Sequence, residues 1–255
     1  MRVAIIGAGI AGLSCAHELE KYGITPVIYE RNSYIGEQIS HVAAVLDIVH
    51  RPVRDFIKYI KVEYDIQINP LNICKELVHY SPGKTTVLKG NFGYFLKRGK
   101  EQDDLKVQIY NQLKGSKVLF NTYGDYKTLS KEYDYVVIAT GNNLFTEEIG
   151  CWKYLYRAFE RGALILGNFN PTALHMYLNR DYCKNGYAYM IPFDKERAFV
   201  TLIVSDVNEK EVEHYWHVFK SVEDITYPIL EEFNVASQIR CQFLSSKMSN
   251  LCLEF

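Results

Sequence analysis

Apolar and polar positions follow two rhythms along this chain, and each predicts its own kind of element. Residues 2–7 form a short apolar run, the mark of a buried strand. Leu13, Ala16, His17 and Leu19 then recur at helical spacing, so a helix is expected over 10–22, closed by Gly23. "TPVIYE" is a second strand. Residues 31–50 read as loop, with an apolar run at Val42–Val49. Pro52 marks a helix start, and "VRDFIKYIKVEY" has helical spacing. "LVHYSPGKTTVLKG" reads as strand, Pro-Gly turn and strand. Residues 102–113 look helical, and "KVLFNTY" and "YDYVVIATG" look like strands.

After about residue 145 the pattern changes. "GALILGNF", "GYAYMIPF" and "RAFVTLIV" are successive strands, "EKEVEHYWHVFKSV" is an amphipathic helix, and "ASQIRCQF" is a last short strand. Strand following strand predicts an antiparallel sheet, unlike the strand–helix–strand opening. The expected class is α/β: a Rossmann-like domain with a parallel sheet, plus an antiparallel-sheet domain. The first is drawn from residues 1–50 and 91–145, the second from 51–90 and 146–255.

Composition narrows the function. The chain has 255 residues, 48% hydrophobic and 23% charged, with a net charge of -1. No basic excess points to nucleic acid or an anionic membrane. No apolar run is long enough to span a bilayer. Strand-like sequence starts at Arg2, which leaves no room for a signal peptide. The six cysteines include no C-x-x-C pair and read as buried, reduced thiols, so a cytoplasmic location is expected. The 20 tyrosines fit packing and strand propensity.

The chemistry lies in the opening. Gly7, Gly9 and Gly12 make G-x-G-x-x-G between a strand and a helix, with Ala8, Ile10 and Ala11 between them. Gly7 permits the tight turn, Gly9 lets backbone approach a pyrophosphate, and Gly12 lets helix and strand pack closely. The helix N-terminus offers free N–H groups and partial positive charge to phosphate. Glu30 ends the second strand, where a carboxylate accepts both ribose hydroxyls of an adenosine and repels a 2′-phosphate. A glycine turn used for packing alone is the plainer alternative. These residues define a dinucleotide cradle and leave FAD and NAD both open.

"EYDYVVIATGNN" bears on that choice. Paired with G-x-G-x-x-G and Glu30-Arg31, the run from Asp134 to Thr140-Gly141 resembles the glutathione-reductase-type FAD-binding fold. The resemblance implies that this strand lies beside the first, with its Thr140-Gly141 end near FAD. It also implies that Arg98, ahead of a helix, lies near the pyrophosphate or ribose. A solvated helix cap is the other reading of Arg98.

No second G-x-G-x-x-G and no redox C-x-x-C are present, which disfavours the two-nucleotide disulfide-reductase layout. "GYAYMIPFDKERAFVTLIV" is similar to the Y-x-W-x-F-P segment of the geranylgeranyl-reductase family. Tyr187 and Pro192 match; Tyr189 and Ile191 replace the tryptophan and phenylalanine. The resemblance implies an FAD-dependent oxidoreductase moving a hydride equivalent to an apolar small molecule. Tyr187, Tyr189 and Pro192 would face the substrate, and NAD(P)H is a candidate electron donor. Plain sheet packing by these side chains is the alternative. No catalytic side chain is specified by spacing.

Other patterns are set aside. "SPGKTT" lacks the glycine a phosphate-binding loop needs, since Val78 stands in its place. His214 and His217 stand three apart on a helix, but nothing supplies further ligands, so no metal is expected. Asp103-Asp104 and Glu147-Glu148 are neighbours that point apart.

The family usually carries a third FAD motif near its C-terminus, rich in glycine. This chain has no glycine after Gly186, and "SSKMSNLCLEF" looks like neither a flavin-binding strand nor a cap. The Asp134–Gly141 strand is therefore expected to be an exposed edge. Weak FAD retention, a partner chain at that edge, or a truncated product would follow. A nucleotide-binding subunit without catalysis, or an NAD-dependent oxidoreductase, are the alternative functions.

Overall fold

In the computed structural model, residues 1–37, 39–242 and 251–253 are described. The first half contains β1 (Val3–Ile6), α1 (Ile10–Lys21), β2 (Val27–Tyr29), β3 (His41–Leu46), α2 (Phe56–Tyr64), β4 (Asn72–Ser81), β5 (Lys84–Arg98), α3 (Leu105–Tyr110), β6 (Lys117–Leu119), α4 (Tyr126–Glu132), β7 (Tyr135–Ile138) and α5 (Leu144–Glu148). The second half adds β8 (Trp152–Leu166), β9 (Ala173–Tyr177), α6 (Arg180–Cys183), β10 (Tyr187–Pro192), β11 (Arg197–Ser205), α7 (Val212–Val222), β12 (Ile229–Gln242) and β13 (Leu251–Leu253).

The strands form two sheets. The smaller has the order β13-β7-β1-β2-β6, and every pairing in it is parallel. Helices cover both of its faces, which explains its near-continuous apolar strands. Leu13, Ala16, Leu105 and Ile109 pack on one side; Leu129 and Phe145 pack on the other. The larger sheet has the order β12-β8-β11-β10-β9-β4-β5-β3. It is antiparallel except where β4 runs parallel to β9. The α/β class with a parallel nucleotide-type sheet and a second, mainly antiparallel sheet is borne out.

The two faces of the larger sheet differ. Ala188, Met190, Val200 and Leu202 pack with Trp216 and Phe219 of α7. Tyr189, Ile191 and Phe199 point to the opposite face, with Val42 of β3. Although β3 is the far edge strand, its His41 ring stands 5.6 Å from that of Phe199 in β11. The sheet therefore curls until its β3 edge lies over its own middle.

Several expectations need correction. Residues 41–46, expected as loop, form β3, and with β5 they belong to the larger sheet. The second helix starts at Phe56, not at Pro52, because Asp55 caps it: its carboxylate accepts the Lys58 N–H at 3.0 Å. The strand at "GALILGNF" begins ten residues earlier, at Trp152. The largest correction concerns the chain's last residues. Leu251–Leu253 form β13, parallel to β7 over Val136–Ile138. The Asp134–Gly141 strand is not an edge, so the expected place for a partner chain is taken from within. The rest of "SSKMSNLCLEF", 245–250 and 254–255, lies outside the described residues.

Candidate functional site

The smaller sheet builds the site at the C-terminal ends of β1 and β2. Gly7 follows β1 with φ +107°, and its N–H donates to the Tyr29 carbonyl at 2.8 Å. A Cβ on Gly7 would meet the Ala139 carbonyl oxygen at 2.4 Å; one on Gly12 would meet the Gly7 carbonyl oxygen at 2.1 Å. Both glycines are therefore required by the chain's own packing. Gly9 is different. It has φ -77° and ψ 179°, open to any residue, and its nearest neighbour to a Cβ is 3.7 Å away. The fold does not need a glycine there; a ligand passing over the α1 N-terminus does. These residues fit a dinucleotide on that observation.

A cavity of about 820 Å³ opens over this turn. Every cofactor residue named from the sequence lines it except Gly12, which lies behind the turn: Gly7, Ala8, Gly9, Ile10, Ala11, Glu30, Arg31, Arg98, Thr140 and Gly141. Glu30 is 9% exposed. Its carboxylate accepts the Ala8 N–H at 2.9 Å and the Asn32 N–H at 2.8 Å. That fixes the acid at the cavity wall and leaves acceptor sites for ribose hydroxyls. β7 brings Thr140-Gly141 alongside, because the Ala139 N–H donates to the Ile6 carbonyl at 2.8 Å.

Arg98 ends β5 and is half-buried. It donates from Nη2 to Glu37 at 2.5 Å. Lys106, on α3, meets the same Glu37 oxygen at 2.8 Å. Burial pushes the Glu37 pKa up, but Lys106 and Arg98 outweigh it and hold the carboxyl below its ordinary value. Glu37 and Lys106 carry no sequence signal, since residues 69 apart meet only through the fold. Tyr123 and Phe145, rings 5.9 Å apart, add an aromatic wall that spacing also does not announce.

Tyr187, Tyr189 and Pro192 do not line this cavity. They lie on β10: Tyr187 is 39% exposed, its ring 6.0 Å from Tyr189, and Pro192 is buried at the strand's end. Tyr189 faces Phe199 on the curled inner face. Burial raises the Tyr189 hydroxyl's pKa. Glu160 of β8 shares this face, and the Thr201 hydroxyl donates to it at 3.2 Å. Burial also raises the Glu160 pKa, although the Thr201 hydrogen bond and the Arg98 charge pull it down. His41, from β3, is kept below its ordinary value chiefly by burial. Glu160 and His41 were not legible in the sequence, because a single acid in an apolar strand has no motif.

No group of metal-ligating side chains exists among the described residues. His217 is instead 3.4 Å from Glu213 on the same helix. Among the described residues no disulfide forms; Cys74, Cys151 and Cys183 are buried thiols. Asp103 and Asp104 diverge as expected: Asp103 pairs with Lys97 at 2.8 Å, while Asp104 is fully buried. No described helix is long and apolar enough to cross a membrane.

A glycine turn on a helix N-terminus, with an acid ending the next strand, defines a dinucleotide-binding protein of the glutathione-reductase-type fold. The chain belongs to the pyridine nucleotide-disulphide oxidoreductase family, which residues 1–150 match. Forty residues are 55% identical to a 15-cis-phytoene desaturase of Synechococcus elongatus, covering 16% of this chain and 8% of that one. Among solved structures, 99% of the chain superposes on a geranylgeranyl bacteriochlorophyll reductase-like protein of Thermoplasma acidophilum. The TM-score is 0.71 at 16% identity, over 70% of that protein. It likewise superposes on CmlS, a flavin-dependent halogenase, with TM-score 0.70 and 16% identity over 52% of that enzyme. The resemblance to geranylgeranyl reductases is thus borne out as a shared fold.

Proposed function

We propose that this chain is an FAD-dependent oxidoreductase acting on an apolar small molecule. The observation that carries the reading is Gly9: a side chain is missing where the fold has room for one and a pyrophosphate would pass. Glu30 would hold the adenosine ribose, the α1 N-terminus the diphosphate, and Thr140-Gly141 the cofactor's inner part. FAD supplies two-electron redox chemistry when bound. The curled face of the larger sheet, with Tyr189, Ile191 and Phe199, supports an apolar substrate. There Glu160 is placed to give or take a proton, since burial favours its neutral form. NAD(P)H is the proposed electron donor.

The glycine-rich third motif has no counterpart in the sequence after Gly186. β13 pairs the strand that motif would have served, so that strand is not the open edge expected from the sequence. The absorption spectrum of purified protein, with and without added FAD, tests the reading. A bound flavin that bleaches on NADH addition supports it. No flavin uptake at micromolar FAD would sink it.

A further inference from the structure

Glu37 is an anion already seated between two cations on the cavity wall. Arg98 reaches it at 2.5 Å and Lys106 at 2.8 Å, both at the same carboxylate oxygen. One negative charge thus faces two positive ones, and Arg98 has donors to spare: its Nε is buried without a hydrogen-bond partner. The cations sit on regular elements, at the end of β5 and in α3. Glu37 sits on the irregular connection between β2 and β3, its N–H bound to the Gly99 carbonyl at 2.8 Å. Its backbone is anchored, and only its side chain ties it to the two cations. All three groups line the cavity above the α1 N-terminus.

We propose that Glu37 is an internal stand-in for phosphate: Arg98 and Lys106 form an anion-binding pair for the dinucleotide's diphosphate, and Glu37 competes with it. This rests on the dinucleotide reading above. Phosphate oxygens offer guanidinium and ammonium the same charge-assisted hydrogen bonds as a carboxylate, with more charge. Glu37 therefore sets a threshold, since a ligand must outcompete a carboxylate to enter. A phosphate-free nucleoside gains nothing by displacing it.

The test uses the full chain titrated with ADP and with adenosine by calorimetry, and with FAD by fluorescence quenching. Glu37→Gln is expected to bind ADP about tenfold tighter, with adenosine unchanged. Lys106→Met is expected to bind ADP about tenfold more weakly, again with adenosine unchanged. Unchanged or weaker ADP binding by Glu37→Gln would overturn the proposal, because Glu37 would then order the cations rather than compete for them. An equal change for adenosine would overturn it too. Should Glu37→Gln not fold, Lys106→Met decides by the same adenosine comparison. Wild-type protein that binds ADP but does not quench FAD would defeat the flavin reading and leave this inference intact.

Discussion

The two sheets solve different problems. The smaller one is short-stranded, parallel and covered on both faces, and it presents backbone to a ligand. The larger one is long-stranded and curled; it presents side chains, with α7 packed on one face and an apolar cluster around Val42, Ile191 and Phe199 on the other. The difference shows in how each tolerates change. The nucleotide sheet depends on atoms that are missing, the larger sheet on atoms that are present.

Removing the largest side chain behind the larger sheet should have the greatest effect. Trp216 is fully buried, and the Arg161 guanidinium stands over its ring at 5.5 Å while donating to Glu213 and Glu232. Trp216→Ala should cost about 3–5 kcal/mol in urea unfolding. Adding atoms to the smaller sheet should come next. Gly12→Val should cost about 3 kcal/mol, because its Cβ collides with backbone. Gly9→Val sharpens the contrast: its stability should fall by no more than about 1 kcal/mol, the cost of a poorer helix N-cap, while FAD affinity falls about a hundredfold. A Gly9→Val protein that binds FAD normally would remove the basis for the cradle.

Smaller effects separate the sheets by pH. Glu20 of α1 accepts N–H groups of Lys114, Gly115 and Ser116 at 2.6–2.9 Å, joining helix to β6. Burial raises its pKa, but these bonds and the Ser116 hydroxyl prevail and bring it to about 2. A depressed pKa stabilises the fold above the ordinary value near 4.5, and that stability disappears as pH falls toward 2. Glu20→Gln should remove about 1 kcal/mol at pH 7, and less at pH 3, in thermal melts. Glu160 on the larger sheet has the opposite sign. Its raised pKa means that the fold loses stability as pH rises from the unfolded-state value through the folded one. Glu160→Gln should flatten that decline, the smallest effect of the series; an unchanged pH profile would show that Glu160 does not titrate there.

The same contrast explains what could be read in advance. Gly7, Gly12 and Glu30 are legible because backbone geometry demands particular residue types at set offsets. The Thr140-Gly141 end of β7 is legible through the family resemblance, not through spacing alone. The curl of the larger sheet is not, since no local pattern states that β3 will fold back over β11. β13 is illegible because Leu251-Cys252-Leu253 is too short for a period to show. Glu37 and Lys106 become a pair only in three dimensions. The β10 residues were legible as strand, but their distance from the cavity over the glycine turn depends on how the two sheets join.

The strand order also bears on how the protein is made. β1 pairs with β7 across more than a hundred residues, and β7 waits for β13, a further hundred residues on. Five of the eight strands of the larger sheet, β8–β12, emerge between β7 and β13. The nucleotide cradle therefore emerges complete except for its β13 edge before most of the larger sheet is made. Contacts this distant in sequence close slowly. Arrest of translation just before residue 251 would leave β7 with an open edge, a state in which nascent chains invite chaperones.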